Sequence, residues 1–254
     1  MTYRGAVSLT CALSFGVAAC AIMTIPPDVT RKHLVVVSPE GDGKFPVVIF
    51  YQGTGGGNRR AERWAAWFKT IGVASAIVDN AGIRNRTSNP WGDYAEDGAT
   101  AWDLLRAHPQ IDTNRFALMG FSRGGQQALD AGGYFGGARP APSFVFALYP
   151  GGWGINACRS LHRKPTQVHF FYGDLDEITG YDGTSHACRA LETSSGNVKF
   201  HELKGATHGY DDIYSYTFEC CRGRPVRVQP NPEAVEETKA IIEKALRAGW
   251  SPRP

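Results

Sequence analysis

The sequence predicts a layered α/β protein: a mostly parallel sheet with helices on both faces. Three observations predict it. Apolar β-rich runs alternate with helical patterns along most of the chain, and such alternation marks parallel strands joined by crossover helices. The run PVVIFY at 46–51 is apolar almost without a break, as a strand covered on both faces would be. The 254 residues, 43% hydrophobic and 20% charged, suffice for one large core and sit near globular averages. This composition excludes a disordered chain, a collagen-like repeat, a long coiled coil and a multi-span membrane protein. Twenty-seven basic against 24 acidic residues give a net charge of +3, which supplies no electrostatic reason to expect nucleic acid.

The elements follow in order. Strands are expected at 34–37 and 46–51, then a helix over 60–71 with Trp64, Trp67, Phe68 and Ile71 at helical spacing. A strand at 73–78 precedes a helix over 94–108 with Ala101, Trp102, Leu104 and Leu105 on one side. Gly98 falls on that same side and would let a neighbouring element come close. A strand at 116–121 runs into a helix at 123–131. Strands at 144–149 and 167–172, a helix at 185–193 and a strand at 198–203 come next. In the last helix Asn231 can cap, Pro232 suits the first turn and Gly249 should follow the end. The loop 79–93 and the segment 204–230 are long for connections, as functional or disordered segments are. No linker divides 24–254, so one domain is expected there.

Residues 1–23 read as an export signal: Arg4, an apolar stretch from Gly5 to Gly16, then Val17-Ala18-Ala19-Cys20. A membrane span needs about 20 apolar residues, and this stretch is shorter. The tetrapeptide resembles a bacterial lipobox. An ordinary cleaved signal with an incidental cysteine is the alternative to lipidation of Cys20. The mature chain would then be periplasmic or secreted. Four cysteines remain, Cys158, Cys188, Cys220 and Cys221, and an even number in an exported chain points to disulfides. A bond between the neighbours Cys220 and Cys221 would be strained. The other two pairings both tie the 220–221 loop to Cys158 and Cys188. No metal site is expected, because no CxxC pair or HxxxH spacing occurs.

Gly120-Phe121-Ser122-Arg123-Gly124 carries the strongest chemical signal. It lies where an apolar strand gives way to a helix, the context of a GxSxG nucleophile elbow. The turn lifts the Ser122 hydroxyl above the sheet edge, and the following helix points its N-terminus at the site. A serine needs a base. Of the histidines after Ser122, His169 and His201 lie in strands, His162 in a basic loop and His186 near a helix start. His208, in the small-residue loop 205–210 after a strand, has the presentation a base needs. The acid should follow the preceding strand, in Gly173-Asp174-Leu175-Asp176-Glu177. Asp176 is the choice, and Asp174 is expected to hold the turn. Two N–H donors for an oxyanion are expected from the amide of Arg123 and from Thr54 in the loop 52–57, with Gly53 the alternative. That loop lacks the GKS/T ending and the GxGxxG spacing of phosphate cradles. Trp91, Tyr94 and Trp153 sit where they could wall a pocket.

Four stretches now stand together: FYQGTGGG at 50–57, IDTNRFALMGFSRGG at 111–125, YGDLDEIT at 172–179 and GATHGY at 205–210. In type and order they resemble the α/β-hydrolase superfamily, dienelactone hydrolase-like family. The resemblance implies a three-layer α/β-hydrolase fold and a Ser-His-Asp triad of Ser122, His208 and Asp176. It also implies a small-molecule ester substrate and no cofactor. Two positions depart from the family pattern. Ser122 stands where dienelactone hydrolase proper has cysteine, and Gln52-Gly53 replaces the usual His-Gly. Exported esterases are therefore nearer in expected chemistry. A peptidase or thioesterase on the same triad, or a non-catalytic exported binding protein of this fold, are the rival expectations.

Overall fold

The computed structural model describes residues 31–53, 59–83, 95–151, 165–178, 196–220 and 223–250. Seven strands make the main sheet: β1 (Leu34–Val37), β2 (Phe45–Tyr51), β3 (Ala74–Val78), β4 (Ile111–Phe121), β5 (Phe144–Leu148), β6 (Gln167–Gly173) and β7 (Val198–Leu203). Their spatial order is β1-β3-β2-β4-β5-β6-β7. Only β1 runs antiparallel, with Val35 opposite Ile77; the other five pairings are parallel. The α-helices with both ends among the described residues are α1 (Arg59–Thr70), α2 (Asn80–Ile83), α3 (Ala95–Leu105), α4 (Arg123–Ala131) and α5 (Pro232–Trp250), and a 3-10 turn at Gly132–Tyr134 follows α4.

The sheet is covered on both sides, which explains the unbroken apolar runs. Val47, Ile49 and Tyr51 of β2 join one core with Ala99, Trp102 and Leu105 of α3 and Leu129 of α4. Val48 and Phe50 face the other way, into a core with Trp64 and Phe68 of α1 and Ile242 and Leu246 of α5. Each valine, leucine, isoleucine or phenylalanine among them contributes about 1.5–3 kcal/mol on full burial, so both faces select for apolar residues and period-two alternation disappears. Gly98 has the expected role: a Cβ there would lie 1.9 Å from the Tyr51 hydroxyl oxygen. That hydroxyl donates to the Ala95 carbonyl at 2.8 Å.

Four expectations change. The strand expected at 116 begins at Ile111. Pairing with β2 passes from Pro46 opposite Asp112 to Val47 opposite Phe116. Pro46 offers no N–H to the ladder, so the irregularity falls where a bond is missing anyway. Gly249 does not follow the last helix but lies inside it. A Cβ at 249 would come within 2.4 Å of Phe144 Cζ, so this glycine serves close packing of α5 on the sheet. The segment 204–230 contains a hairpin, β8 (Tyr216–Cys220) and β9 (Arg224–Val228), antiparallel with Phe218 opposite Val226. The loop 79–93 opens with the short helix α2. Asn231 caps α5 as expected, its Oδ1 accepting from the Ala234 amide at 3.0 Å.

The leader 1–23 with Cys20, the helix expected at 185–193, and Cys158, Cys188 and Cys221 lie outside the described residues. No helix among the described residues is long and apolar enough to cross a membrane. Among the same residues no group of three or more His, Cys, Asp or Glu could hold a metal ion.

Candidate active site

Ser122 sits between β4 and α4 with φ 52° and ψ −122°, a conformation that costs about 1–3 kcal/mol outside glycine. The turn is pinned from both sides. The Ser122 amide donates to the Leu148 carbonyl at 3.0 Å, and the Ser122 carbonyl accepts from the amides of Gly125 at 2.9 Å and Gln126 at 3.2 Å. The flanking glycines are obligatory. A Cβ at Gly120 would lie 2.0 Å from the Gly124 carbonyl oxygen, and one at Gly124 would lie 2.2 Å from that of Tyr51.

His208 reaches this serine from the loop after β7, with Nε2 2.8 Å from Ser122 Oγ. Its Nδ1 lies 3.0 Å and 3.2 Å from the two carboxylate oxygens of Asp176, which follows β6. An ionised carboxylate only accepts, so Nδ1 carries the hydrogen and Nε2 is left to accept from the serine hydroxyl. The Asp176 side chain is fully buried. Its Oδ1 also accepts from the Ile178 amide at 2.8 Å, which fixes the carboxylate plane.

The two loops are stitched to each other. The Leu175 amide donates to the Ala206 carbonyl at 3.0 Å. A Cβ at Gly173 would stand 1.9 Å from that same oxygen, so only glycine permits the approach. Asp174 does hold a turn: its Oδ1 accepts from the Gly205 amide at 2.7 Å, which tethers the start of the His208 loop. Thr207 binds the far side, accepting from the Gln229 amide at 2.9 Å.

The backbone after β2 lies against the elbow. A Cβ at Gly53 would be 3.2 Å from the Phe121 carbonyl oxygen and 3.7 Å from Ser122 Cβ. Arg123 opens α4, so its amide belongs to the helix's first turn, whose N–H groups the internal ladder does not use. Thr54, Trp91, Tyr94 and Trp153, and the histidines His162 and His186, lie outside the described residues. Gly151 lies beside the serine: an added Cβ would be 3.7 Å from Ser122 Oγ and 4.0 Å from His208 Cε1. His169 and His201 are brought to each other instead, Nδ1 to Nε2 at 3.1 Å across β6 and β7.

Sequence reasoning missed what stands behind His208. Tyr149 follows β5 directly, and its ring centroid lies 4.8 Å from the imidazole centroid with planes at 68°. Its hydroxyl donates to Asp211 Oδ1 at 2.6 Å. Asp211 Oδ2 accepts from Trp64 Nε1 at 2.8 Å, and Arg60 Nε lies 3.2 Å from Asp211 Oδ1. Burial holds the Tyr149 phenol well above its ordinary pKa, so it stays a donor. Burial pulls the Arg60 guanidinium down, but the negative charge beside it, on Asp211 and Asp212, more than offsets this and raises it. The Asp211-Asp212 pair after the base loop was the available sequence signal, but acidic pairs are common on surfaces.

No family model matches the chain, and no curated protein matches its sequence. Solved structures do match. A dienelactone hydrolase-like promiscuous phosphotriesterase from metagenomic libraries is 17% identical over 85% of this chain and 99% of its own, with a TM-score of 0.64. An acetyl ester-xyloside bifunctional hydrolase from Caldicellulosiruptor lactoaceticus is 17% identical over 85% and 87%, at 0.62. Est1E from Butyrivibrio proteoclasticus is 16% identical over 84% and 93%, at 0.60. Superposition over about 85% of the chain at so little identity speaks to architecture, and it agrees with the strand order and the elbow: the chain has the α/β-hydrolase fold, as these dienelactone hydrolase-like and esterase structures do.

Proposed function

We propose that the protein is a serine hydrolase of carboxylic esters that works through an acyl-enzyme. The observation that carries this reading is the line from Asp176 through His208 to Ser122, with contacts of 3.0 and 2.8 Å, ending on a strained serine. In the first half-reaction Ser122 Oγ attacks the ester carbonyl carbon while Nε2 of His208 takes the hydroxyl proton. Asp176 keeps the imidazole in the right tautomer and stabilises the imidazolium. The tetrahedral oxyanion accepts from the amides of Arg123 and of the loop after β2, Thr54 or Gly53, at the positive end of α4. Collapse breaks the C–O bond to the alcohol, which leaves with the proton from His208. Water then attacks the acyl carbon while His208 takes its proton; the bond from the acyl carbon to Ser122 Oγ breaks, His208 returns the proton to Oγ, and the acid departs. Every step uses groups of this chain and water alone. The names of the structural neighbours, esterase and hydrolase among them, support hydrolysis in general.

In this reading the leader 1–23 takes the enzyme out of the cytoplasm, Cys20 is its candidate lipid tether, and Trp91 and Trp153 wall the pocket. Cys158, Cys188, Cys220 and Cys221 form two bonds in the exported protein, which non-reducing peptide mapping reads directly. The deciding experiment for function is labelling by a fluorophosphonate probe, followed by rates on matched ester, thioester and anilide substrates. The ester reading expects stoichiometric labelling of Ser122 and fastest turnover on the ester. An unlabelled wild-type protein would leave a binding module, and preference for the anilide or thioester would move the assignment to a peptidase or thioesterase.

A further inference from the structure

Two hydrogen bonds fix where the His208 imidazole begins and ends, but they do not stop the ring from swinging about the line between Nδ1 and Nε2. Something must wall it from the side. Among the described residues only two besides glycine hold a positive φ, Ser122 at 52° and Tyr149 at 35°. They follow neighbouring strands, β4 and β5, and both touch His208. Strained backbone of this kind gathers where geometry is part of the mechanism. Tyr149 is also held more firmly than a packing residue needs. Its amide donates to the Phe171 carbonyl at 2.7 Å, and its hydroxyl is anchored on Asp211. Asp211 is fixed in turn by Trp64 and Arg60 from α1. The Arg60 guanidinium carbon lies 5.8 Å from the Tyr149 ring centroid, and Arg60 reaches on to Asp212 at 2.8 Å.

We propose that Tyr149 is a positioning residue for His208: its ring, anchored through Asp211, keeps the imidazole on the line between Asp176 and Ser122. This role rests on the hydrolase reading for its consequence in rate, but not for its consequence in structure.

The test compares Tyr149→Leu, which removes the ring, with Tyr149→Phe, which keeps it. The readouts are kcat and KM on p-nitrophenyl acetate, the thermal midpoint, and the downfield proton NMR resonance of the Nδ1–H shared with Asp176. Tyr149→Leu should lower kcat about 10²-fold, the effect of a small misplacement of a catalytic group. KM should be unchanged and the downfield resonance broadened or lost. Tyr149→Phe should recover most of kcat and the resonance, while its thermal midpoint falls because Asp211 loses a donor. The proposal is overturned if Tyr149→Leu, shown to be folded, keeps the wild-type resonance and kcat. It is equally overturned if both variants lose kcat only in proportion to lost folded protein. A wild-type chain that shows the resonance yet hydrolyses no ester would defeat the hydrolase reading alone, and the resonance in the two variants would still decide the role of Tyr149.

Discussion

Two histidines of this protein are buried to nearly the same depth, His208 at 5% exposure and His169 at 2%, and their surroundings could hardly differ more. His208 stands in a loop beyond the carboxyl end of β7, with a carboxylate on one nitrogen and a hydroxyl on the other. His169 stands inside β6 among the rings of Phe144, Phe146 and Phe171. Its Nδ1 meets His201, and among the described residues its Nε2 has no hydrogen-bond partner. Burial pulls His169 down to about 3, with the nearby His201 and Lys199 adding to the effect. Depth alone therefore decides nothing. What separates a candidate proton shuttle from a core residue is whether its two nitrogens are addressed by groups that can take and give a proton.

Ser122→Ala and His208→Ala should each remove about 10⁴–10⁶ of kcat, measured against the folded fraction by circular dichroism. Retained turnover in either variant would show that the geometry is idle. Asp176→Asn should follow at about 10⁴-fold, since an amide beside Nδ1 favours the wrong tautomer. Asp174→Asn, two residues away, should keep most activity, because Asp174 holds the Lys204–Gly205 turn and does not touch the imidazole. Reversed results for the two carboxylates would reassign the acid.

The His169 side yields a stability effect with no effect on rate. A histidine held at about 3 in the fold and near 6.5 in the unfolded chain binds its proton only on unfolding across that interval. The unfolded state then carries more protons, so stability rises with pH between those values and is lost as pH falls below about 6.5. The full loss is on the order of a few kcal/mol. His169→Phe should flatten this acid slope in thermal melts recorded from pH 7 to pH 4, and leave kcat at neutral pH as it was. An unchanged slope would mean that the acid sensitivity lies in other groups.

Most of this architecture was legible because it rests on patterns of several residues. Alternating apolar strands and helices announced the parallel sheet. GxSxG between a strand and a helix announced the elbow, and loop placement told His208 from His169. Features resting on single contacts were not legible. Gly249 reads as a helix stop until Phe144 is seen pressed against it. The hairpin of β8 and β9 carries charges and a proline, and few of its residues are buried, so no hydrophobic period marks it. Tyr149 reads as the last residue of an apolar strand. Only the fold brings Asp211 to its hydroxyl, and Trp64 and Arg60 to Asp211, from positions 62 to 89 residues away from Tyr149 in sequence.

The order of the strands has a consequence for how the protein comes into being. Ser122, Tyr149, Asp176 and His208 follow β4, β5, β6 and β7 in turn, and those strands are also successive neighbours in space. The sheet can therefore grow outward in the order of synthesis. Pairings between distant segments form slowly, and β7 is the last strand of the main sheet in sequence. Until β7 pairs, Ser122 and Asp176 lack His208 between them. The last strand of the main sheet carries His208 to the other two side chains, so on the proposed reading activity would report that the main sheet is complete.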